Sequence, residues 1–393
     1  MIIPGFRFAA TAAGIKKTEA LDLALMVADA PCAAAGVFTR NRVKAAPVVL
    51  SRQRLRRGKA QAILVNAGNA NACTGPQGLK DAWETARAAA ALLQVPEALV
   101  LPASTGVIGQ SLPVEKIRLA LPELAGRLHP GGFPGAAQAI MTTDTRPKTA
   151  WLKEKIDGRE ITLAGMAKGA GMIHPDLATL LVFIFTDAAA HPRILKQMLL
   201  NALPVSFNRI TIDGDTSTND TILLLAGGKA GNPVIEGAGP AMAAIQEMLY
   251  QVMGDLAQQV VADGEGARHI FRVEVRGAAT PSEALKAART VATSPLVKTA
   301  MAGADVNWGR IMCALGYSGA RFDPEQVDIA FGDYLVVKKG LGVGPAAEAR
   351  AEKLIKSGAF TLAIHLHAGE AADYYDTCDF TEEYIRVNAS YRS

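Results

Sequence analysis

The sequence lacks the features that mark several common classes of protein. Its four cysteines, Cys32, Cys73, Cys313 and Cys378, lie far apart and none is in CxxC spacing, which is typical of unpaired thiols in a reducing compartment. The longest apolar stretch, around Leu177 to Phe185, is far below the roughly 18 residues that suggest a membrane span. The N-terminus has no charged leader followed by a long apolar segment, so we expect no signal peptide. These absences predict a soluble, cytoplasmic protein that does not enter a membrane.

Several catalytic and ligand-binding motifs are also missing. There is no HExxH, no Walker A loop and no GxSxG, and the glycines of 340–344 lack the spacing of a dinucleotide fingerprint. His365 and His367 would share one strand face, but paired strand histidines are more often structural than metal-binding. We therefore predict neither a bound metal nor a resident cofactor.

The charge pattern offers little sign of a nucleic-acid partner. Lys and Arg exceed Asp and Glu by 41 − 37 = 4. The only dense basic run extends from Arg52 to Arg57, with Lys59 beyond it, and such runs are usually solvated surface. We predict no binding to nucleic acid.

The composition indicates a folded protein of considerable size. Half of the 393 residues are hydrophobic, 20% are charged and the mean hydropathy is +0.17, which excludes a mostly disordered chain. This length predicts two lobes or one large double-layered domain.

Helical and strand patterns alternate along the chain, which predicts a mixed α/β fold with buried sheets. The helical patterns cover 81–93, 240–261, 281–292 and 345–356, and Thr280 begins a capping box for the third of them. Strand patterns cover 180–185, 222–225, 269–276 and 362–366, and two further strands meet at Gly332-Asp333. The unbroken apolar runs at 180–185 and 222–225 are typical of strands that are buried on both faces.

The segment 168–187, KGAGMIHPDLATLLVFIFTD, has two interpretations. It is either an ordinary glycine-rich loop that enters a core strand, with Thr179 as a β-former, or the site of an N-terminal nucleophile. In the second case the Thr179 hydroxyl attacks the carbonyl of Ala178, and water releases the resulting ester. The freed α-amine, with a pKa of about 7.7–8, can then accept the proton of its own hydroxyl. The spacing alone leaves both interpretations open.

This segment resembles the self-cleavage signature of the ornithine acetyltransferases, the glutamate N-acetyltransferases of arginine biosynthesis. The family pattern is close to K-G-x-G-M-I-x-P-x-M-A-T-M-L, and the chain departs from it by leucine at positions 177 and 180, swaps that conserve volume. Further segments that resemble the family are 39–43, 66–72, 104–109, 141–145, 206–220, 298–319 and 387–393. So many matches in order identify the chain as a member of this family.

The resemblance implies a fold and a reaction. The expected fold is an α/β (α+β) sandwich of mixed or antiparallel sheets flanked by helices, like the N-terminal-nucleophile hydrolases but with its own topology. Cleavage between Ala178 and Thr179 would give an α chain, 1–178, and a β chain, 179–393, which together form one intertwined unit with a smaller C-terminal lobe. Thr179 would take acetyl from N2-acetylornithine, release ornithine, and pass the acetyl group to glutamate.

The resemblance also assigns site residues. Thr105 and Gly106 would form the oxyanion hole, although the residues themselves also fit a plain turn. The residues implied to line the substrate pocket are Thr142, Lys168, Thr179, Glu265, Asn388 and Ser393. The family commonly ends in threonine, and Ser393 keeps the hydroxyl and the terminal carboxylate.

The family further implies that two α and two β chains associate as a heterotetramer, and that acetyl-coenzyme A is a second acetyl donor in some members. We expect this second activity here. Two other functions fit the residues less well: a related self-cleaving aminopeptidase or amidase with water as the acceptor, and a non-catalytic small-molecule binding protein. The first would hydrolyse rather than transfer, and the second would remain a single full-length chain.

Overall fold

The structure is a computed structural model that describes residues 1–174 and 180–390. These residues form two compact units. The first comprises Met1–Asn208 and Asp215–Val260, and the second comprises Arg209–Gly214 and the described residues from Val261 onward. Ala178 and Thr179, and Ser393 at the C-terminus, lie outside the described residues.

The secondary-structure elements are numbered in chain order. The strands are β1 (Phe6–Thr11), β2 (Leu23–Phe38), β3 (Lys59–Asn69), β4 (Val100–Val107), β5 (Lys148–Ile156), β6 (Arg159–Lys168), β7 (Leu181–Thr186), β8 (Ile210–Thr211), β9 (Thr221–Ala226), β10 (Ile270–Ala278), β11 (Asp328–Phe331), β12 (Tyr334–Lys338), β13 (Leu341–Gly342), β14 (Ala359–His365) and β15 (Ala371–Cys378). The helices are α1 (Ala46–Arg54), α2 (Gly75–Leu93), α3 (Val114–Gly126), α4 (Phe133–Ala139), α5 (Pro192–Ala202), α6 (Pro240–Ala262), α7 (Pro281–Thr293), α8 (Pro295–Ala302), α9 (Trp308–Gly316), α10 (Pro345–Ile355) and α11 (Glu382–Ser390). Short 3₁₀ helices cover Leu55–Arg57, Glu97–Leu99, Leu203–Val205, Phe207–Arg209 and Pro324–Gln326.

The first unit is built on a mixed sheet in the order β4-β3-β2-β9-β7-β6-β5, with β1 paired to β2. The β3–β4 and β7–β9 pairs are parallel, and the β2–β3, β2–β9, β6–β7 and β5–β6 pairs are antiparallel. Every residue of β7 and β9 is buried. The unbroken apolar runs in the sequence arise because both faces of these central strands are covered.

Helices cover both faces of this sheet. Along β2, Ala24 and Met26 face the cluster that contains α4, whereas Leu23 and Leu25 face the cluster that contains α2 and α3. The α4 side contains a group of aromatic rings around Phe185. The ring centre of Phe185 lies 5.1 Å from those of both Phe6 and Phe8, in edge-to-face geometry.

The second unit contains a mixed sheet in the order β13-β12-β11-β14-β10-β15-β8. Phe271, Val273 and Val275 of β10 are buried in a core with the alanine-rich face of α7. Thr280 caps α7, because its hydroxyl accepts a hydrogen bond from the backbone N–H of Glu283. The ammonium of Lys298 is buried and donates to the Thr377 hydroxyl over 2.8 Å.

The predicted fold class is confirmed: mixed sheets are flanked by helices in an α/β protein. The predicted helices and strands are found with ends shifted by a few residues, except that α2 begins at Gly75 rather than at Asp81. The earlier start depends on Asn71, whose side chain accepts from the Thr74 hydroxyl and donates to the carbonyl of Gly78. In the described part of the chain, no helix has the length and apolar character needed to span a membrane.

The aromatic group leads to a stability prediction. Phe185→Ala removes a fully buried ring that packs against three other aromatic rings, so we expect unfolding to become easier by about 3–5 kcal/mol. The matched control is Trp151→Ala, since Trp151 is 54% exposed, and its effect should stay within about 0.5 kcal/mol. Urea unfolding followed by circular dichroism measures both, and equal effects would contradict the packing described.

Candidate active site

The first part of the candidate site is the end of the parallel β3–β4 pair. Gly106 of β4 is in register with Gly68 of β3, and Thr105 precedes it with 9% of its surface exposed. Gly106 has φ +129°, and a Cβ there would lie 2.3 Å from the carbonyl carbon of Gly68. Only glycine fits this close approach, so Gly106 meets a structural requirement in addition to its predicted role in the oxyanion hole.

Asparagine side chains hold this strand end in place. Asn66 donates to the carbonyl of Asn69 over 2.8 Å and accepts from the Ser104 hydroxyl over 2.6 Å. Asn219 donates to the carbonyls of Ala70 and Ser104 over 2.6 and 2.8 Å. The asparagine-rich segment 66–72 is therefore a scaffold that fixes the backbone around Thr105.

Asp144 connects two of the predicted substrate-binding residues. Its side chain is fully buried and accepts hydrogen bonds from the ammonium of Lys148 (2.6 Å) and the backbone N–H groups of Gly169 (2.7 Å) and Thr142 (2.9 Å). The ammonium of Lys168 lies 4.0 Å from its second oxygen. Thr142 and Lys168, 26 residues apart in the sequence, thus meet at one carboxylate.

The electrostatics of Asp144 follow from its two cationic neighbours. Burial by itself would raise the pKa of this carboxyl, but the charges of Lys168 and Lys148 outweigh burial and lower the pKa to about 2. The carboxylate is therefore ionised at neutral pH and offsets two positive charges in the interior.

Lys16 lies beside the β3–β4 end. Its Cγ lies 3.2 Å from where a Cβ on Gly68 would be, and its ammonium donates to the carbonyl of Leu21 over 2.7 Å. Burial lowers the pKa of Lys16, and the charge of Asp22 is the main influence that opposes this. The half-buried side chain of Lys16 therefore packs against the end of β3.

A second buried carboxyl, Asp220, has different surroundings. Neither of its oxygens has a hydrogen-bond partner in the described part of the chain. Burial raises its pKa well above the usual value, although the nearby hydroxyls of Ser217 and Thr39 and the charge of Lys168 partly oppose this. Its neighbour Thr221 donates its backbone N–H to Leu180 over 2.9 Å. Burial thus disfavours the ionised form of this acid at the point where β9 meets the start of β7.

Strand β7 begins just after the predicted nucleophile. Leu181 pairs with Lys168 of β6 on one side and with Thr221 of β9 on the other. Thr179 itself lies outside the described residues. The residues that follow it nevertheless belong to a central, fully buried strand, which is a rigid support.

Two predicted substrate-binding residues lie in the second unit. The side-chain amide of Asn388 on α11 donates to Glu265 over 2.7 Å and to the carbonyl of Tyr384 over 3.0 Å. Asn388 is exposed and Glu265 is half-buried. The structure thus pairs these two residues directly, and Ser393 lies outside the described residues.

Sequence reasoning missed three charged groups of the first unit: Lys16, Asp144 and Asp220. Asp144 and Asp220 are within segments that resemble the family, but only the fold shows that one is paired and the other is not. Among the described residues, no group of three or more His, Cys, Asp or Glu side chains is arranged to hold a metal ion. The groups that remain are those of acid–base and acyl-transfer chemistry: hydroxyls, backbone N–H groups, ammonium groups and carboxyls.

Comparisons with known sequences identify a family. The model of the ArgJ family matches residues 7–393. Two curated relatives, each named arginine biosynthesis bifunctional protein ArgJ, are 48% identical to this chain. The protein of Symbiobacterium thermophilum aligns over 99% of this chain and 97% of its own length, and that of Desulfotalea psychrophila aligns over 100% of both. A crystal structure of the protein with the same name from Bacillus halodurans is 40% identical, with a TM-score of 0.49, and covers 52% of this chain and 96% of that chain.

The close approach of Gly106 to Gly68 gives a test by substitution. Gly106→Ala should lower both stability and activity, because the added methyl meets backbone atoms and the residue has positive φ. Gly109→Ala is the matched control: Gly109 also has positive φ, +79°, but nothing lies within 4 Å of the added Cβ. Gly109→Ala should lower the free energy of unfolding by about 1 kcal/mol, because it introduces backbone strain alone. Thermal unfolding and activity are measured for both variants. If the two variants lose equal stability and equal activity, a steric role for Gly106 is contradicted.

The pairing of Asp144 gives a prediction with a pH dependence. Asp144→Asn should cost about 3–5 kcal/mol at pH 7, because the buried ammonium of Lys148 loses its counter-ion. The pKa of the folded carboxyl is lowered, so its stabilising effect is full above about pH 4 and is lost as the pH falls towards 2. The difference between variant and wild type should therefore shrink over that range, as measured by urea unfolding at several pH values.

Asp220→Asn is the control for this variant. The raised pKa of Asp220 means that the wild type loses stability as the pH rises above the unfolded value, near 4. A neutral amide avoids that loss, so at pH 7 the variant should unfold no more easily than the wild type. A loss as large as that of Asp144→Asn would show that Asp220 is ionised and paired.

Proposed function

Because the chain belongs to the ArgJ family, we propose that it is an acetyltransferase of arginine biosynthesis that transfers acetyl from N2-acetylornithine to glutamate. Support comes from a family match over residues 7–393 and from relatives 48% identical over essentially their whole length. These relatives are named as bifunctional, which supports acetyl-coenzyme A as a second acetyl donor to glutamate.

The nucleophile is made by self-cleavage. The hydroxyl of Thr179 attacks the carbonyl carbon of Ala178, the peptide nitrogen leaves as the α-amine of Thr179, and water hydrolyses the resulting ester. The new amine then accepts the hydroxyl proton during acetyl transfer, so nucleophile and base belong to one residue. The single observation that carries this proposal is that the signature 168–181 leads directly into β7, the buried strand between β6 and β9.

Acetyl transfer proceeds in two half-reactions. Thr179 attacks the acetyl carbonyl of N2-acetylornithine, and collapse of the tetrahedral intermediate gives an acetyl-threonine ester and free ornithine. The amine of glutamate then attacks the ester and leaves as N-acetylglutamate. Each half-reaction passes through a tetrahedral intermediate that carries an oxyanion. The proposed hydrogen-bond donors to it are the Thr105 hydroxyl and the Gly106 N–H, whose position is fixed by the close approach of Gly106 to Gly68.

Charged groups of the substrates require partners of opposite charge. Both substrates have a carboxylate, which we assign to Lys168. Asp144 lies 4.0 Å from the Lys168 ammonium and also accepts a hydrogen bond from the backbone N–H of Thr142. The side-chain ammonium of ornithine is assigned to Glu265, whose present partner is the neutral amide of Asn388. Asn388 and Ser393 complete the proposed substrate contacts.

Assembly and location are part of the same proposal. The α and β chains stay associated, and two of each form a heterotetramer in the cytoplasm. No bound cofactor is required, because the threonine carries the acetyl group.

Self-cleavage is tested by comparing wild type with Thr179→Ala and Thr179→Ser. Cleavage gives chains of 178 and 393 − 178 = 215 residues, roughly 19 and 22 kDa by proportion of 41.2 kDa. We expect Thr179→Ala to remain one uncut chain without transfer activity. Thr179→Ser keeps a hydroxyl and an α-amine, so it should still be cut and retain some activity.

The measurements are denaturing gels, mass spectrometry of the new N-terminus, and acetyl transfer from N2-acetylornithine to glutamate. An active wild type with no species that begins Thr-Leu-Leu-Val would refute the nucleophile. Release of free acetate in place of N-acetylglutamate would indicate a hydrolase.

A further inference from the structure

A strongly basic cleft lies in the first unit, apart from the site residues assigned above. Its volume is about 650 Å³, within the usual range for small-molecule pockets. Six cationic side chains line it, and none of its described lining residues is Asp or Glu. The six are Arg40, Lys44, Arg52, Arg56, Arg193 and Lys196.

The cations come from three separate parts of the chain: the segment after β2, the end of α1 with the 3₁₀ helix that follows it, and α5. The floor is the second half of β2, where Ala34–Phe38 pairs with β9. One wall is the end of α1 with the 3₁₀ helix that follows it, and the other is the first turns of α5. Lys196 is held at the floor, because its ammonium donates to the carbonyl of Gly36 over 2.6 Å.

The basic run in the sequence divides between two environments. Arg54 points into the protein, where it donates to the carbonyl of Val100 over 2.6 Å and pairs with Glu97 at 2.9 Å. Arg52 and Arg56, two positions away on either side, are exposed and line the cleft. The run therefore supplies a binding wall in addition to solvated surface.

Six cationic side chains around one cleft repel one another and attract anions. No ion pair between described residues involves Lys44, Arg52, Arg56, Arg193 or Lys196. Burial lowers the pKa of Lys196, and the charge of Arg52 lowers it further. A bound anion would relieve this repulsion, and arginine forks suit phosphate oxygens in particular.

We propose that this cleft binds the phosphate groups of a nucleotide-linked acyl donor, the coenzyme A class. The inference rests on the proposed function only for the identity of the ligand, since acetyl-coenzyme A is the donor proposed for the second activity. A nucleotide with both a diphosphate and a sugar phosphate carries several negative charges, which match the six cations of the cleft. The cleft volume of about 650 Å³ suits a ligand of this size.

The position of the cleft suits a donor with a long arm. The lining ends at Thr39 and Arg40, directly after Phe38. Phe38 is in register with Thr221, and Thr221 with Leu181, so two strand spacings, about 10 Å, separate Phe38 from the start of β7. A thioester at the end of a flexible arm could therefore extend from phosphates in the cleft towards the strand that follows Thr179.

The test uses Arg56→Glu with Arg57→Glu as its matched control. Both residues are exposed and adjacent and both substitutions change the net charge equally, but only Arg56 lines the cleft. Arg56→Glu should raise the KM for acetyl-coenzyme A at least about tenfold, whereas Arg57→Glu should change it little. Transfer from N2-acetylornithine to glutamate needs no phosphate contact and should be unaffected in both, which also shows that the variants are folded.

Direct binding separates this inference from the proposed function. Titration calorimetry of the wild type with coenzyme A, dephospho-coenzyme A and inorganic phosphate should show the tightest binding for coenzyme A and weakening with added salt. Absence of coenzyme A binding, binding of inorganic phosphate as tight as that of coenzyme A, or equal losses in Arg56→Glu and Arg57→Glu would each overturn the proposal. If coenzyme A binds but acetylornithine transfer is absent, the cleft assignment stands and the proposed reaction fails.

Discussion

The arrangement of the candidate site depends on one buried carboxylate. Asp144 accepts from the Lys148 ammonium and from two backbone N–H groups, and it lies 4.0 Å from the ammonium of Lys168. Without this negative charge, two cations would be buried close together in the interior at a large energetic cost. The same carboxylate fixes the backbone of Thr142 and the N–H that directly follows Lys168, so it organises the turn before β5 and the end of β6 together. The groups proposed to hold the substrate carboxylate are therefore positioned before any substrate arrives, which reduces the entropy lost on binding.

Residues of the same type have different surroundings in the first unit. Neighbouring cations lower the pKa of Asp144, whereas burial raises that of Asp220, whose oxygens have no hydrogen-bond partner in the described part of the chain. Arg54 is enclosed by Val100 and Glu97, whereas Arg52 and Arg56 face a cleft. Burial and neighbouring charge, rather than residue type, decide which groups can take part in chemistry.

Local signals in the sequence predict much of the fold. The apolar runs that became β7 and β9, the alternation along β10, and the Thr280 capping box are features of a few adjacent residues, and each was found where predicted. The site was less accessible, because its contacts join distant parts of the chain. Lys16 and Gly68, or Asp144 and Lys168, approach each other only after the sheet has formed. The roles of Thr105, Gly106 and Lys168 came from resemblance, and no pattern of spacing would have indicated Asp144, Lys16 or Asp220.

The strand order of the first sheet has a consequence for a chain that is broken before Leu180. The strands β9 and β7, from the C-terminal side of the break, lie between β2 and β6, which come from the N-terminal side. Strands from the two pieces would therefore be hydrogen-bonded to each other within one sheet. Separating them would break the β2–β9 and β6–β7 ladders of hydrogen bonds and expose β7 and β9, whose residues are all buried. The C-terminal piece holds all seven strands of the second sheet, but neither piece holds the whole of the first, so the first unit should form only when both pieces are present.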